Sequence, residues 1–395
     1  MLHLYFKTIQ MVHEFNFSDI RSFYDSEVNT YLRILLQDEH FQNIMQYVYS
    51  DPAKMEQAKL LLEHFYSVKD LQTKFVAPLV EDLILKRTTN GITCNGLENI
   101  EKDKSYLFIS NHRDIILDAV LMNYLIIQQG LAATEIAIGN NLLIENWIEY
   151  VVKLNRCFSV SRNLPARELL IASKKISAYI HHNVTQLNTS VWIAQREGRT
   201  KDGNDRTQPA LLKMLNLCNK GSFSEGFKEL RIVPLSISYE IEPCGISKVA
   251  ELYQKQTGVF EKTKEHDRRS MEEGLFKPKG QIHFGFGNPV TSELDLFEKE
   301  ESLAGRIEKL ANRIDQQIHI NYKLWPNNYI AEDISLNVSD NAAYYSTEQY
   351  YFFTCMLNEA VSLIPGDANP IRSMFLKMYA NPLINKQKAL LYQDL

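Results

Sequence analysis

The feature that most constrains this chain is an alternation that starts near residue 90 and continues to about 330. Apolar runs of strand length at 106–109, 133–138, 157–160, 190–194, 230–239 and 281–286 are interleaved with segments of helical spacing around 115–128, 165–183, 207–217 and 302–323. A short earlier run at 92–96 follows the turn Thr88-Thr89-Asn90-Gly91. Strands alternating with helices bury both kinds of apolar surface only as layers. The expected fold is therefore α/β, a mixed sheet flanked by helices. Pro165 and the stripe Leu169, Ala172, Ile176 and Ile180 mark one helix; Ser302, with Leu303, Ile307, Leu310, Ile314 and Ile318 and then Pro326, marks the last.

The flanks read differently. Residues 1–88 form an N-terminal helical region, in which Asp51-Pro52 starts a helix with Met55, Ala58, Leu62 and Phe65 on one face, and Pro78 is expected to break another. Residues 89–330 form the α/β domain, and 331–395 a helical C-terminal extension. Five scattered cysteines without a C-x-x-C pair suggest neither a zinc site nor a disulfide framework, which fits a reducing cytoplasm. The first residues lack the uninterrupted apolar core of a signal peptide. The longest apolar stretch, 115–127, contains Asp118 and Asn123 and falls short of the roughly 18 residues of a membrane span. Contact with a membrane is expected from its surface.

Directly after the 106–109 run comes Ser110-Asn111-His112-Arg113-Asp114-Ile115-Ile116-Leu117-Asp118. A neutral histidine takes a proton from a hydroxyl near pH 7, and a carboxylate one helical turn on holds its ring in the right tautomer. The same letters spell the His-Arg-Asp of a kinase catalytic loop. That loop needs an asparagine five residues after its aspartate, where this chain has Ala119, and no Asp-Phe-Gly follows.

Net charge is −5, which argues against nucleic acid as a partner, yet residues 153–213 carry eleven Lys and Arg against four Asp and Glu. Two blocks dominate that segment. Asn155-Arg156-Cys157-Phe158-Ser159-Val160-Ser161-Arg162 ends a strand on an arginine, and Gln195-Arg196-Glu197-Gly198-Arg199-Thr200-Lys201-Asp202-Gly203 is a glycine-flexed loop dense in donors. Arginine is favoured where a planar fork must grip a phosphate. A last block, Ile232-Val233-Pro234-Leu235-Ser236-Ile237-Ser238-Tyr239-Glu240, reads as a strand whose side chains are mostly core.

In this order, the four blocks resemble the motifs of the glycerol-3-phosphate and 1-acylglycerol-3-phosphate (lysophosphatidate) acyltransferase superfamily, and their wording is more similar to the glycerol-3-phosphate branch. His112 and Asp118 match its histidine–aspartate motif, Arg162 the arginine of its second, Glu197-Gly198-Arg199 its third and Val233-Pro234 its fourth. The resemblance implies a base, His112, oriented by a carboxylate, and an acceptor phosphate held by Arg162, Arg199 and Lys201 with Glu197 and Gly198 beside them. It implies backbone N–H groups at the helix start for the oxyanion. It also implies acyl-CoA or acyl-carrier protein as donor, a phosphorylated glycerol as acceptor, work at the inner face of a membrane, and neither metal nor cofactor. The superfamily places four residues between histidine and aspartate, whereas five separate His112 from Asp118, so Asp114 stands as an alternative orienter. An acyltransferase for an amino-acid lipid, or a non-catalytic lipid- or carrier-binding protein on the same fold, are the competing readings.

Overall fold

The computed structural model describes residues 15–143, 145–258, 260–261 and 263–391. Residues 1–14, including most of the stretch compared with a signal peptide, and 392–395 lie outside that set. Seven strands make one sheet: β1 (Ile92–Asn95), β2 (Leu107–Ser110), β3 (Glu135–Gly139), β4 (Cys157–Val160), β5 (Val191–Ala194), β6 (Ile232–Tyr239) and β7 (Ile282–Phe286), in the order β1-β7-β6-β2-β5-β3-β4. Five of them, from β6 across to β4, run parallel; β7 pairs antiparallel with β6, and β1 parallel with β7. The sheet is mixed, as the alternation implies.

Central strands are buried on both faces, which is why they read as continuous apolar runs. Leu107, Ile109, Val191 and Ile193 enter one core and Phe108 and Trp192 the other. The N-terminal helices α1 (Asp25–Gln37), α2 (Glu39–Val48) and α3 (Pro52–Glu63) share a separate cluster built on Val28, Leu32, Leu35 and Leu62. On the sheet, α4 (Leu117–Gln128) covers one face, and α5 (Ala166–Thr185), α6 (Phe223–Leu230) and a later helix, Leu303–Asn321, cover the other. After α6 come α7 (Gly245–Gln256) and α8 (Leu303–Asn321). The C-terminal helices α9 (Pro326–Leu336), α10 (Thr347–Leu363) and α11 (Ala368–Leu391) bury Ile330, Phe353, Leu357, Phe375 and Met378 with Val249 of α7.

Two expectations need correcting. Pro78 does not break its helix: the helical path continues from 68 to 88 through two π turns, Gln72–Val76 and Glu81–Leu85, and Ala77 N–H bonds the Gln72 carbonyl five residues back. A widened turn just before a proline moves aside the carbonyl its ring would strike. The stripes of α5 and α8 also fail at their first positions, where Leu169 and Leu303 are 46% and 49% exposed. Residues 166–171 are all exposed, so α5 turns its apolar face onto the sheet only from Ile176.

Candidate active site

The motif loops leave the carboxyl ends of parallel strands, the edge where open α/β sheets bind ligands. Asn111 and His112 follow β2, Arg162 follows β4, and Glu197-Gly198-Arg199 follows β5. The loops are stitched together through the backbone. Gln195 N–H donates to the Ser110 carbonyl at 2.7 Å and Thr200 N–H to the His112 carbonyl at 2.9 Å. The buried Asn111 side chain clamps β6 twice, accepting from Ile237 N–H at 2.7 Å and donating to its carbonyl at 2.9 Å.

Asp118 lies in the first turn of α4 with none of its surface exposed. Its Oδ2 accepts from the Arg113 and Asp114 backbone N–H groups at 2.6 and 3.0 Å and meets His112 Nδ1 at 2.9 Å. The Tyr239 hydroxyl donates to its Oδ1 at 2.9 Å, and burial together with the Asp118 charge holds that phenol well above its usual range, so it stays a donor. Four donors and the positive end of a helix balance one buried carboxylate. A carboxylate on Nδ1 selects the tautomer that leaves Nε2 with its lone pair. Nε2 has no partner among the described residues, and the ring, 15% exposed, packs edge-on to Trp192 with centroids 5.9 Å apart.

Asp114 does something else. Its Oδ1 accepts from Ile116 and Leu117 N–H at 2.9 and 2.8 Å, capping α4, and its Oδ2 is buried with no partner among the described residues. Burial first, then the neighbouring Asp118 charge, push its carboxyl above the usual range. The structure thus brings Asp118, not Asp114, to His112, and the capped turn before Leu117 accommodates the extra residue. The N–H groups of residues 113, 114, 116 and 117 all bond to these two carboxylates, so they are not the expected oxyanion donors.

The basic residues lie on the neighbouring loops after β4 and β5. Gly198 has φ +70°, a left-handed conformation that favours glycine, and it turns the chain so that Arg199 follows. Arg199 Nη1 is buried without a hydrogen-bond partner among the described residues. Arg162 Nη1 lies 3.7 Å from Glu197 Oε1, a loose pair, and a Cβ on Gly139 would fall 2.6 Å from Arg162 Nε. Lys201, by contrast, is held by Glu251 at 2.9 Å, and burial lowers its ammonium below the usual range. Val233 and Pro234 lie buried in β6 and contribute packing.

Sequence reasoning missed the charges beneath. Arg113, with no exposed surface, bonds Asp205 and reaches Glu242 at 3.3 Å; Lys248 donates to Glu242 at 2.5 Å and to the Arg113 carbonyl at 2.6 Å. Arg113 stands beside the histidine and Asp205 ends the basic loop, which was the only signal available. Nothing in the local pattern marks Glu242, Lys248 or Tyr239.

Residues 91–238 match the acyltransferase family model. That stretch, which carries the motif loops, is therefore similar to acyltransferase domains, and it marks the protein as an enzyme that transfers acyl groups. Among solved structures it is similar to the 1-acyl-sn-glycerophosphate (LPA) acyltransferase PlsC from Thermotoga maritima, at 15% identity and a TM-score of 0.37 over 72% of this chain and 92% of that one. No curated protein matches the sequence. Among the described residues, no helix is long and apolar enough to cross a membrane.

Proposed function

We propose that the protein moves a fatty acyl group from an acyl thioester, acyl-CoA or acyl-carrier protein, to a hydroxyl of glycerol 3-phosphate or lysophosphatidate, working peripherally at the inner face of a membrane. The observation that carries the reading is His112 Nδ1 at 2.9 Å from a buried Asp118, with Nε2 unpartnered among the described residues and the His112 carbonyl bonded by the loop that carries Arg199. His112 Nε2 takes the proton of the acceptor hydroxyl as its oxygen bonds to the thioester carbonyl carbon. The tetrahedral adduct then collapses, the carbon–sulfur bond breaks, and the thiolate leaves with the proton from His112. Asp118 stabilises the imidazolium between the two transfers. No acyl-enzyme forms.

Arg199, whose Nη1 has no partner among the described residues, is the principal acceptor-phosphate ligand, assisted by Arg162 once the phosphate displaces the loose contact with Glu197. Lys201 joins only if it releases Glu251. The test is mass spectrometry of products from purified enzyme offered both donors and a panel of acceptors: glycerol 3-phosphate, lysophosphatidate and an amino-acid lipid. Acylated phosphoglycerol supports the reading; product from the amino-acid lipid alone overturns the acceptor assignment.

A further inference from the structure

Beside the histidine lies a buried ionic cluster that joins the His112 loop to the C-terminal helices. Arg113 and Lys248 are balanced by Asp205 and Glu242, two charges against two, and all four residues are at most 5% exposed. A buried pair of this kind adds little net stability over well-packed apolar side chains, so its usefulness is more often in fixing one arrangement. Here it fixes the residues on either side of His112. The Asn111 amide donates to Asp205 Oδ2 at 3.2 Å, and the Arg113 guanidinium bonds the same oxygen. Lys248 holds the Arg113 carbonyl.

The cluster is in turn held by α11. Glu242 N–H donates to the Tyr379 hydroxyl at 3.0 Å. Just before Asp205 the loop is gripped by the same helix: the Asn381 amide donates to the Asp202 carbonyl at 2.7 Å and Asn385 to the Asn204 side chain at 3.2 Å. Gly203, with φ +71°, lies so close to α11 that a Cβ would fall 2.2 Å from the Met378 carbonyl oxygen. The loop on which α11 rests is the continuation of the one that carries Arg199.

We infer that Arg113 is a positioning residue for His112, and that α11, through Tyr379 and its grip on residues 202–204, is part of the device that holds the base against the acceptor loop. The inference rests on the acyl-transfer reading above. An arginine fork locked between two carboxylates cannot swing, so the peptide it belongs to keeps the His112–Asp118 geometry. A misplacement of the order of 1 Å in such a site costs roughly 10²-fold in rate.

The full-length enzyme is tested as Arg113→Lys, Tyr379→Phe and, as a control on the reading itself, His112→Ala, each checked for folding by circular dichroism. Arg113→Lys keeps the charge but loses the fork. It is expected to lower kcat by roughly 10²-fold with KM for donor and acceptor nearly unchanged. Tyr379→Phe, far milder, is expected to lower kcat roughly tenfold with the same signature, and it decides the matter if Arg113→Lys does not fold. Folded Tyr379→Phe and Arg113→Lys enzymes with wild-type kcat, beside an inactive His112→Ala, overturn the positioning role and leave the acyl-transfer reading intact. A fully active His112→Ala enzyme overturns both.

Discussion

Four donors surround the Asp118 carboxylate, whereas on the neighbouring loops Arg199 keeps a buried Nη1 with no partner among the described residues and Arg162 reaches Glu197 only at 3.7 Å. In the proposed reading, the first group holds the base and the second receives the acceptor phosphate. Preorganised donors around the base have nothing to rearrange during proton transfer. Arg162, loosely held by Glu197, would exchange that carboxylate for a phosphate with little loss, and on this reading binding is separable from chemistry.

The sharpest way to break this contrast is Asp118→Asn. The amide keeps the shape but not the charge, and kcat is expected to fall by about 10²–10⁴-fold with KM for the acceptor little changed, measured by steady-state acyl transfer. A loss confined to KM would place Asp118 on the binding side. Arg199→Ala is the mirror test: KM for a phosphorylated acceptor should rise by about 10- to 100-fold while KM for the acyl donor hardly moves, from a charge-assisted bond of ~1.5–3 kcal/mol. Equal rises in both constants would sink the phosphate assignment.

Tyr239→Phe removes one donor of four from Asp118, and roughly a tenfold fall in kcat is expected, smaller than for Asp118→Asn because three donors remain. The smallest effect is expected on β7, at a group that touches neither His112 nor Asp118. Burial, with Lys323 and Lys386 nearby, pushes the His283 imidazole from 6.5 down to about 4. Its folded pKa is depressed, so the folded protein resists a proton that the unfolded chain accepts. The stability contributed is present above about 6.5 and is lost as pH falls toward 4. In thermal melts across that window, His283→Gln should lose less Tm on acidification than wild type, with kcat unaltered at neutral pH. An identical acid slope in the two proteins would remove this group from the account.

What was legible in the sequence follows from the range of each signal. Strands such as 106–109 and 190–194 announce themselves because both faces are buried, and Ser302 and Asp51 because capping is local: each accepts the expected backbone N–H. His112 and Asp118 were visible as a motif, and the choice between Asp118 and Asp114 was not. It depends on which carboxylate the helix start turns inward, and Asp114 is used up in capping the turn. Arg113, Glu242 and Lys248 lie 129 and 6 positions apart in their contacts, and only the topology of β2 and β6 brings them together. Pro78 misled because a π turn lets a proline stay inside a helix.

The most direct measurement is the rate of acyl transfer to glycerol 3-phosphate or lysophosphatidate by purified His112→Ala beside wild type, with the product identified by mass. The expected result is acylated product from wild type and a rate at least ~10²-fold lower from the variant, with acceptor binding retained. A folded His112→Ala enzyme that makes the same product at the wild-type rate would contradict the assignment of His112 as the base.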